Sequence, residues 1–293
     1  MNLQSGTRLN DEIIFIQEKL NLITHESFDK KYIKKFYLPL LHSIKNKKKI
    51  MIAGSQGSGK SSLALLISEY LKKYYLKSSV IISLDDFYIS KNKRLKFSKK
   101  IHPLFATRGV PGTHDIELLQ KKLQKLNNKD FPVYLPIFDK TTDTRKKSFK
   151  KITKADIIIL EGWCVGAKPI TYKFLYKDIN NLEKFKDPQH IWRKNYNDFL
   201  YQYQKIFSKF NHFIYLQFNN WKNVIEWKYK QELRLRNKIK DPLLKKYLSE
   251  FIQHYEKISR WMYKKSPNDC HLLIKIDSKQ KIKAAVYSDQ KDK

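Results

Sequence analysis

The run Gly54-Ser55-Gln56-Gly57-Ser58-Gly59-Lys60-Ser61-Ser62 holds the residue types that cradle a polyphosphate, and its first eight positions fit G-x-x-x-x-G-K-[ST] completely. The glycines let the backbone curl until its N–H groups point inward at phosphate oxygens, and a helix starting near Lys60 adds the positive end of its dipole. In such a loop the Lys60 ammonium reaches the β- and γ-phosphates of ATP and the Ser61 hydroxyl ligates Mg²⁺. The chemistry this predicts is transfer of the γ-phosphoryl group of ATP. Transfer to a hydroxyl also needs an acid to take the acceptor's proton and another to hold the metal. Two acidic points follow apolar runs: Asp85-Asp86-Phe87-Tyr88 after Val80–Leu84, and Glu161 after Ile157–Leu160. Glu161 fits the metal-holding carboxylate and Asp85 the base, close enough to the metal to contact it. Asp86 and Tyr88 are neighbours able to touch metal or substrate.

Those groups meet only if the elements carrying them end at one edge. Ile50–Ala53, Val80–Leu84, Asp156–Leu160, His212–Phe218 and Leu272–Ile276 read as strands. Helical patterns lie between them at Ser61–Leu76, Asp115–Leu126, Tyr196–Phe210, Val224–Arg236 and Pro242–Tyr263. Alternating strands and helices predict an α/β fold of the P-loop NTPase type, a doubly wound parallel sheet with flanking helices. In such sheets ligands collect outside the carboxyl ends of the strands, where the P-loop and both acidic points fall. Residues 1–47 read as an N-terminal helical extension, residues 48–293 as the main domain, and residues 220–265 as a helical lid.

The segment His102–Asp115 is a loop shaped by two Pro and two Gly, and Thr113 or Asp115 can cap the helix that follows. Arg108, His114 and Asp115 give it a planar cation, a neutral donor and an acceptor, a set suited to a small polyhydroxy acid whose carboxylate pairs with Arg108. A second loop, Leu135–Lys140, offers Asp139 and Lys140.

Composition bounds the rest. The chain has 293 residues, a 41% hydrophobic content and a formal charge of +32. Only eight of its 60 basic residues are Arg, whose fork a dedicated nucleic-acid reader would favour, so the charge reads as background bias and nucleic acid is not the expected partner. A P-loop ATPase using the basic runs Lys91–Lys100 and Arg145–Lys154 on nucleic acid is the competing class. Cys164 and Cys270 form no CxxC pair, no apolar run is long enough to span a membrane, and no secretory signal is visible. A cytoplasmic protein, monomeric or weakly self-associating, is expected.

The stretches GSQGSGKSS, SLDDFY, HPLFATRGVPGTHD, LPIFDK and LEGWCVG, in this order and spacing, resemble D-glycerate 3-kinases of the plant and cyanobacterial type and their P-loop kinase relatives. The wider group takes in phosphoribulokinase, uridine kinase and bacterial pantothenate kinase. The resemblance spans roughly residues 35–277 and includes Trp227–Glu232, which is similar to a Trp-Arg-x-x-x-Glu helix in that family. It implies ATP and Mg²⁺ as cofactors, D-glycerate as the acceptor and 3-phosphoglycerate as the product, with a nucleoside, pantothenate or an unidentified small compound as the alternative acceptor. It also implies a catalytic role for Asp85, a metal role for Glu161, substrate contacts from Arg108, His114 and Asp115, and a lid Arg closing on the transferring group. Arg236 is preferred to Arg234 for that role, with an ion pair to Glu232 as its alternative. The sequence departs from the family at Ser55, where Pro is usual, at Asn237–Pro242, where Gly is common, and at Asp277–Gln280, where an adenine-side Arg is often found.

Overall fold

The computed structural model describes residues 2–218, 220–236 and 239–288. Strands run in chain order as β1 (Lys49–Gly54), β2 (Ser79–Ser83), β3 (Val133–Leu135), β4 (Phe138–Asp139), β5 (Thr144–Arg145), β6 (Lys150–Ile152), β7 (Ile157–Gly162), β8 (His212–Gln217), β9 (Leu272–Ile276) and β10 (Ile282–Tyr287). The main sheet has the order β10-β9-β8-β1-β7-β2, parallel throughout except for β10, which runs antiparallel on the β9 edge. β1 and β7 are both interior strands, and the apolar residues Ile50, Ile52 and Ile157–Leu160 are buried as a strand covered on both faces requires.

Register decides what the sheet presents. Ala53 lies opposite both Gly162 and Tyr215, and Ser83 opposite Glu161. β1, β2 and β7 therefore finish level, and the segments that leave them, Gly54–Lys60, Leu84–Tyr88 and Glu161–Trp163, emerge at one edge.

The helix Lys60–Tyr75 packs its Leu63, Leu66, Ile67 and Leu71 into the core against β1, β2 and β7. The helix Asn2–Thr24 packs on it in turn, with Lys19 Nζ 2.8 Å from Glu69 Oε2. Ile13, Ile16 and Leu20 of that first helix belong to the same continuous core as the sheet. On the far side the helix Gln253–Asp269 covers β8.

Several elements differ from the sequence reading. Pro242–Tyr263 is two helices, Pro242–Phe251 and Gln253–Asp269, the first capped by the Asp241 carboxylate accepting from Leu244 N at 2.9 Å. The antiparallel strand β10 and the short pairs β3–β6 and β4–β5 carry too few residues for a period-two pattern to show. Lys91–Lys100 is a helix that buries Arg94 completely. Of the lid loop Asn237–Pro242, Asn237 and Lys238 lie outside the described residues.

The segment Thr171–Trp192 is ordered as the short helices Tyr172–Leu175 and Asn181–Lys186 and the start of Ile191–Phe207. A buried charge network holds it. Arg193, with no exposed side-chain surface, pairs with Asp178 at 2.7 Å, Glu183 at 3.3 Å and Asp187 at 2.9 Å, and Lys257 adds a pair to Glu183 at 3.1 Å. Removing the cation alone leaves buried carboxylates uncompensated, so Arg193→Met should cost about 3–5 kcal/mol of unfolding free energy. Urea titration checks this; a loss under about 1 kcal/mol, the range of an exposed pair, would contradict a structural role for the network.

Among the described residues no helix is long and apolar enough to cross a membrane.

Candidate active site

The edge where β1, β2 and β7 finish opens into a cleft of about 1810 Å³. Its floor is the phosphate loop, which lines it from Gln56 to Gly59. Gly57 and Gly59 hold φ of +75° and +92°, the left-handed region that a side chain disfavours. Gly57 also admits no Cβ, because one would stand 2.7 Å from the Cβ of Trp227. That close approach seats the helix Trp221–Leu235 on the loop. Lys60 Nζ donates to the Ser55 carbonyl at 2.9 Å and so lies within the curl. Burial pushes the Lys60 pKa down against the opposing fields of Glu161 and Asp85. Around it, Ser55 Oγ, Ser58 Oγ and both side-chain polar atoms of Gln56 are buried and make no hydrogen bond among the described residues. Of these, the two hydroxyls and the Gln56 Nε2 amide are donors that an anion's oxygens can satisfy at a helix N-terminus.

Ser61 Oγ donates to Glu161 Oε1 at 3.2 Å. A hydroxyl and a carboxylate side by side are hard oxygen donors of the kind Mg²⁺ takes. Among the described residues there is no group of three or more His, Cys, Asp or Glu able to hold a metal unaided. The donor set thus fits an ion shared with a triphosphate. Burial raises the pKa of Glu161, with Lys60 opposing.

Asp85 stands on the short turn of helix Leu84–Phe87 and takes two hydrogen bonds, from Lys140 Nζ at 2.6 Å and from the Tyr88 hydroxyl at 3.0 Å. Burial alone would push this carboxyl up; the Lys140 ammonium, helped by the hydrogen bonds, outweighs it and holds Asp85 well below the usual carboxylate range. Asp85 is therefore an ionised acceptor.

Beside it stands Arg108. Its Nη1 donates to Asp143 at 2.6 Å, its Nη2 to the Lys140 carbonyl at 3.4 Å, and its guanidinium sits 5.6 Å from the centre of the Phe138 ring. Asp143 is bound in turn by the buried Arg94, which also donates to the carbonyls of Ile89 and Ala106. The turn 140–143 thus carries both the ammonium that holds Asp85 and the carboxylate that holds Arg108. Behind them, the Tyr255 hydroxyl donates to the Arg108 carbonyl at 2.9 Å and fills the space that a Cβ on Gly109 would need.

Of the residues singled out in the sequence, Gln56–Ser62, Asp85, Tyr88, Arg108, Asp139, Lys140, Glu161 and Arg236 line this cleft. Gly54 and Ser55 do not, nor do Asp86, His114 and Asp115. Asp86 accepts from Phe138 N at 3.0 Å and anchors the β4 segment. His114 is buried, stacked on Tyr88 with ring centres 4.4 Å apart, its Nδ1 2.8 Å from the Tyr203 hydroxyl; burial pushes its pKa down to about 3. Asp115 caps the helix Ile116–Asn128 by accepting from Leu118 N at 3.1 Å and pairs with Arg145 at 3.0 Å. All three shape the wall from behind. Asp139 accepts from Thr141 N at 2.8 Å within its own turn. Arg236 is half exposed, with Nε 3.5 Å from Glu232 Oε2.

Two cleft groups escaped the sequence reading. Asp143 sits in a turn with no motif around it. Lys228, only 12% exposed, lines the cleft with Nζ 2.7 Å from Glu232 Oε1. Its place beside Trp227 on the helix seated against Gly57 was the available signal, hidden among so many other lysines.

A phosphate loop, two carboxylates and a cationic wall at the carboxyl edge of a parallel sheet define a P-loop kinase. The sequence profile of the phosphoribulokinase / uridine kinase family matches residues 49–169. The chain is 32% identical over 220 residues, 70% of its length and 74% of the other's, to the "Probable ATP-dependent kinase TDA10" of Saccharomyces cerevisiae. It is 23% identical over 252 residues to the chloroplastic D-glycerate 3-kinase of Arabidopsis thaliana, covering 79% of this chain and 53% of that one. The solved structure of D-glycerate 3-kinase from Cryptococcus neoformans var. grubii superposes with a TM-score of 0.66 over 96% of this chain and 99% of that one, at 22% identity, a likeness of fold. The chain belongs to the phosphoribulokinase / uridine kinase family and is an ATP-dependent P-loop kinase.

Proposed function

We propose that the protein transfers the γ-phosphoryl group of ATP to the terminal hydroxyl of D-glycerate, giving 3-phosphoglycerate and ADP. The observation that carries this is the placement of Asp85 and Arg108 in one wall of the phosphate cleft, tied together through the turn 140–143. A hydroxy acid offers one group to each: its hydroxyl to the ionised carboxylate, its carboxylate to the guanidinium fork. The resemblance of the chain to D-glycerate 3-kinase supports the same acceptor.

In this reading the loop amides and Lys60 bind the β- and γ-phosphates. Ser61 and Glu161, with Asp85 nearby, hold Mg²⁺, which when bound neutralises the phosphates and orients them. Asp85 orients the acceptor hydroxyl and takes its proton. So acidic a carboxylate is a weak base, but in a loose, metaphosphate-like transition state the proton leaves late and positioning counts for more than basicity. Lys228 and Lys140 add positive charge where the transferring group passes, and Arg236, on a lid spanning about residues 220–265, closes from above. Residues 1–47 are an extension to the kinase domain.

Arg108→Ala tests the acceptor assignment. Loss of a charge-assisted, fork-shaped contact should raise the KM for D-glycerate by about ten- to a hundredfold while the KM for ATP stays within about twofold. Turnover on glycerol, which has no carboxylate, should not change. Equal losses on glycerate and glycerol would show that Arg108 does not read the carboxylate.

A further inference from the structure

The helix Pro242–Phe251 carries two apolar rows. Leu244 and Leu248, four residues apart, are buried against Tyr229. Leu243, Tyr247 and Phe251, also at four-residue steps, form a second row beside the first, and all three line the cleft. The fold leaves the outer members of this second row uncovered, with Leu243 81% and Tyr247 59% exposed. Its rings continue one into the next. Tyr247 stacks on Phe251 with ring centres 5.9 Å apart, and Phe251 stands 5.2 Å from Tyr255 on the following helix. Tyr255 packs edge-on against Trp163 at 4.9 Å, and its hydroxyl donates to the Arg108 carbonyl. An aromatic wall thus runs from the exposed rim of the cleft down to Arg108.

We propose that the acceptor site extends from Arg108 along this wall. It takes, besides glycerate, acids that keep glycerate's carboxylate and primary hydroxyl and carry an apolar ring on the carbon between them. D-glycerate has an oxygen on each of its three carbons and offers an aromatic wall nothing apolar to bury. Held between Asp85 and Arg108, it uses the charged half of the acceptor space and leaves the aromatic half idle. Aromatic side chains beside a few convergent polar groups are the surroundings in which ring-bearing small molecules are bound. A ring on the middle carbon would lie against Phe251 and Tyr247 and take apolar surface on both sides out of water. The bond changes are those of the glycerate reaction. The acceptor's hydroxyl oxygen bonds to the γ-phosphorus, and the bond from that phosphorus to the β–γ bridging oxygen breaks. The hydroxyl proton passes to Asp85, and ADP leaves. The inference rests on the reading of Asp85 and Arg108 as the pair that binds the acceptor.

Initial rates of ADP release by the full chain with MgATP test it on three acceptors: D-glycerate, 3-hydroxypropanoate and 3-hydroxy-2-phenylpropanoate. The last two differ only by the ring. The phenyl acid should be turned over with a KM about tenfold below that of 3-hydroxypropanoate, the lower end of what an apolar group gains in a pocket. Tyr247→Ser, a change at an exposed ring that spares the core, should shrink that difference to about twofold. Tyr201→Ser, 62% exposed on the helix Ile191–Phe207 and outside the cleft, should leave the difference as it was. Turnover on D-glycerate with none on the phenyl acid, or a phenyl acid KM no lower than that of 3-hydroxypropanoate, would overturn the proposal and spare the glycerate reading. An undiminished difference in Tyr247→Ser would overturn it too. Turnover on the phenyl acid with none on D-glycerate would overturn the glycerate reading and uphold this one. Silence on all three would overturn both. The comparison of acceptors needs no variant, so a poorly folded Tyr247→Ser would leave the test standing.

Discussion

Asp85→Asn should lower kcat by about 10²- to 10⁴-fold, the range expected for loss of a positioned general base, with ATP affinity nearly unchanged. The prediction is sharp because the substitution disturbs little else. The Asn carbonyl can still accept from Lys140, and its amide can donate to the Tyr88 hydroxyl, so both partners of Asp85 keep a bond. What disappears is the negative charge and the capacity to take a proton. Steady-state turnover and calorimetric titration of ATP, run on the same preparation, separate the two effects. Turnover within about threefold of the parent would remove Asp85 from the chemistry and move the proton acceptor to Glu161, the cleft carboxylate beside Ser61.

Lys60→Ala should act differently, weakening triphosphate binding and slowing turnover together. Its ammonium lies inside the loop curl on the Ser55 carbonyl, beside the unpartnered side-chain atoms of Ser55, Gln56 and Ser58. In so enclosed a place one cation contributes strongly both to the bound phosphates and to the charge that builds up during transfer. A fall of about 10²- to 10³-fold in kcat/KM for ATP is expected, comparable to removing a single preorganised donor from a transition-state site. The KM for the acceptor should move little. Unchanged ATP affinity would show that the loop amides alone hold the triphosphate.

The contrast between the two variants follows from how each residue is placed, and the same distinction separates what the sequence disclosed from what it did not. The phosphate loop was legible because its function is local: nine consecutive residues between a strand and a helix carry the geometry. Asp85 and Glu161 were legible at one remove, since strands of a parallel sheet end level and an acid after an apolar run must lie at that edge. Arg108 could be placed in a loop but not given a partner. Its orientation comes from Asp143, and that of Asp143 from Arg94 on a helix that composition alone presents as a solvated lysine run. Contacts between residues 35 and 49 positions apart leave no periodic trace. His114 and Asp115 show the converse: polar side chains in a distinctive loop looked like substrate contacts, yet the fold turns one onto Tyr203 and the other onto a helix end. Lys228 was hidden by abundance, its burial against Glu232 being a tertiary fact.

The central claim, phosphorylation of D-glycerate, is tested most directly by following ADP release with MgATP against D-glycerate, L-glycerate, uridine, pantothenate and ribulose 5-phosphate, beside a control without acceptor. Sustained turnover on D-glycerate alone, with 3-phosphoglycerate recovered as the product, is the predicted result. Turnover on uridine or pantothenate in place of D-glycerate, or ADP release indifferent to any acceptor, would contradict it.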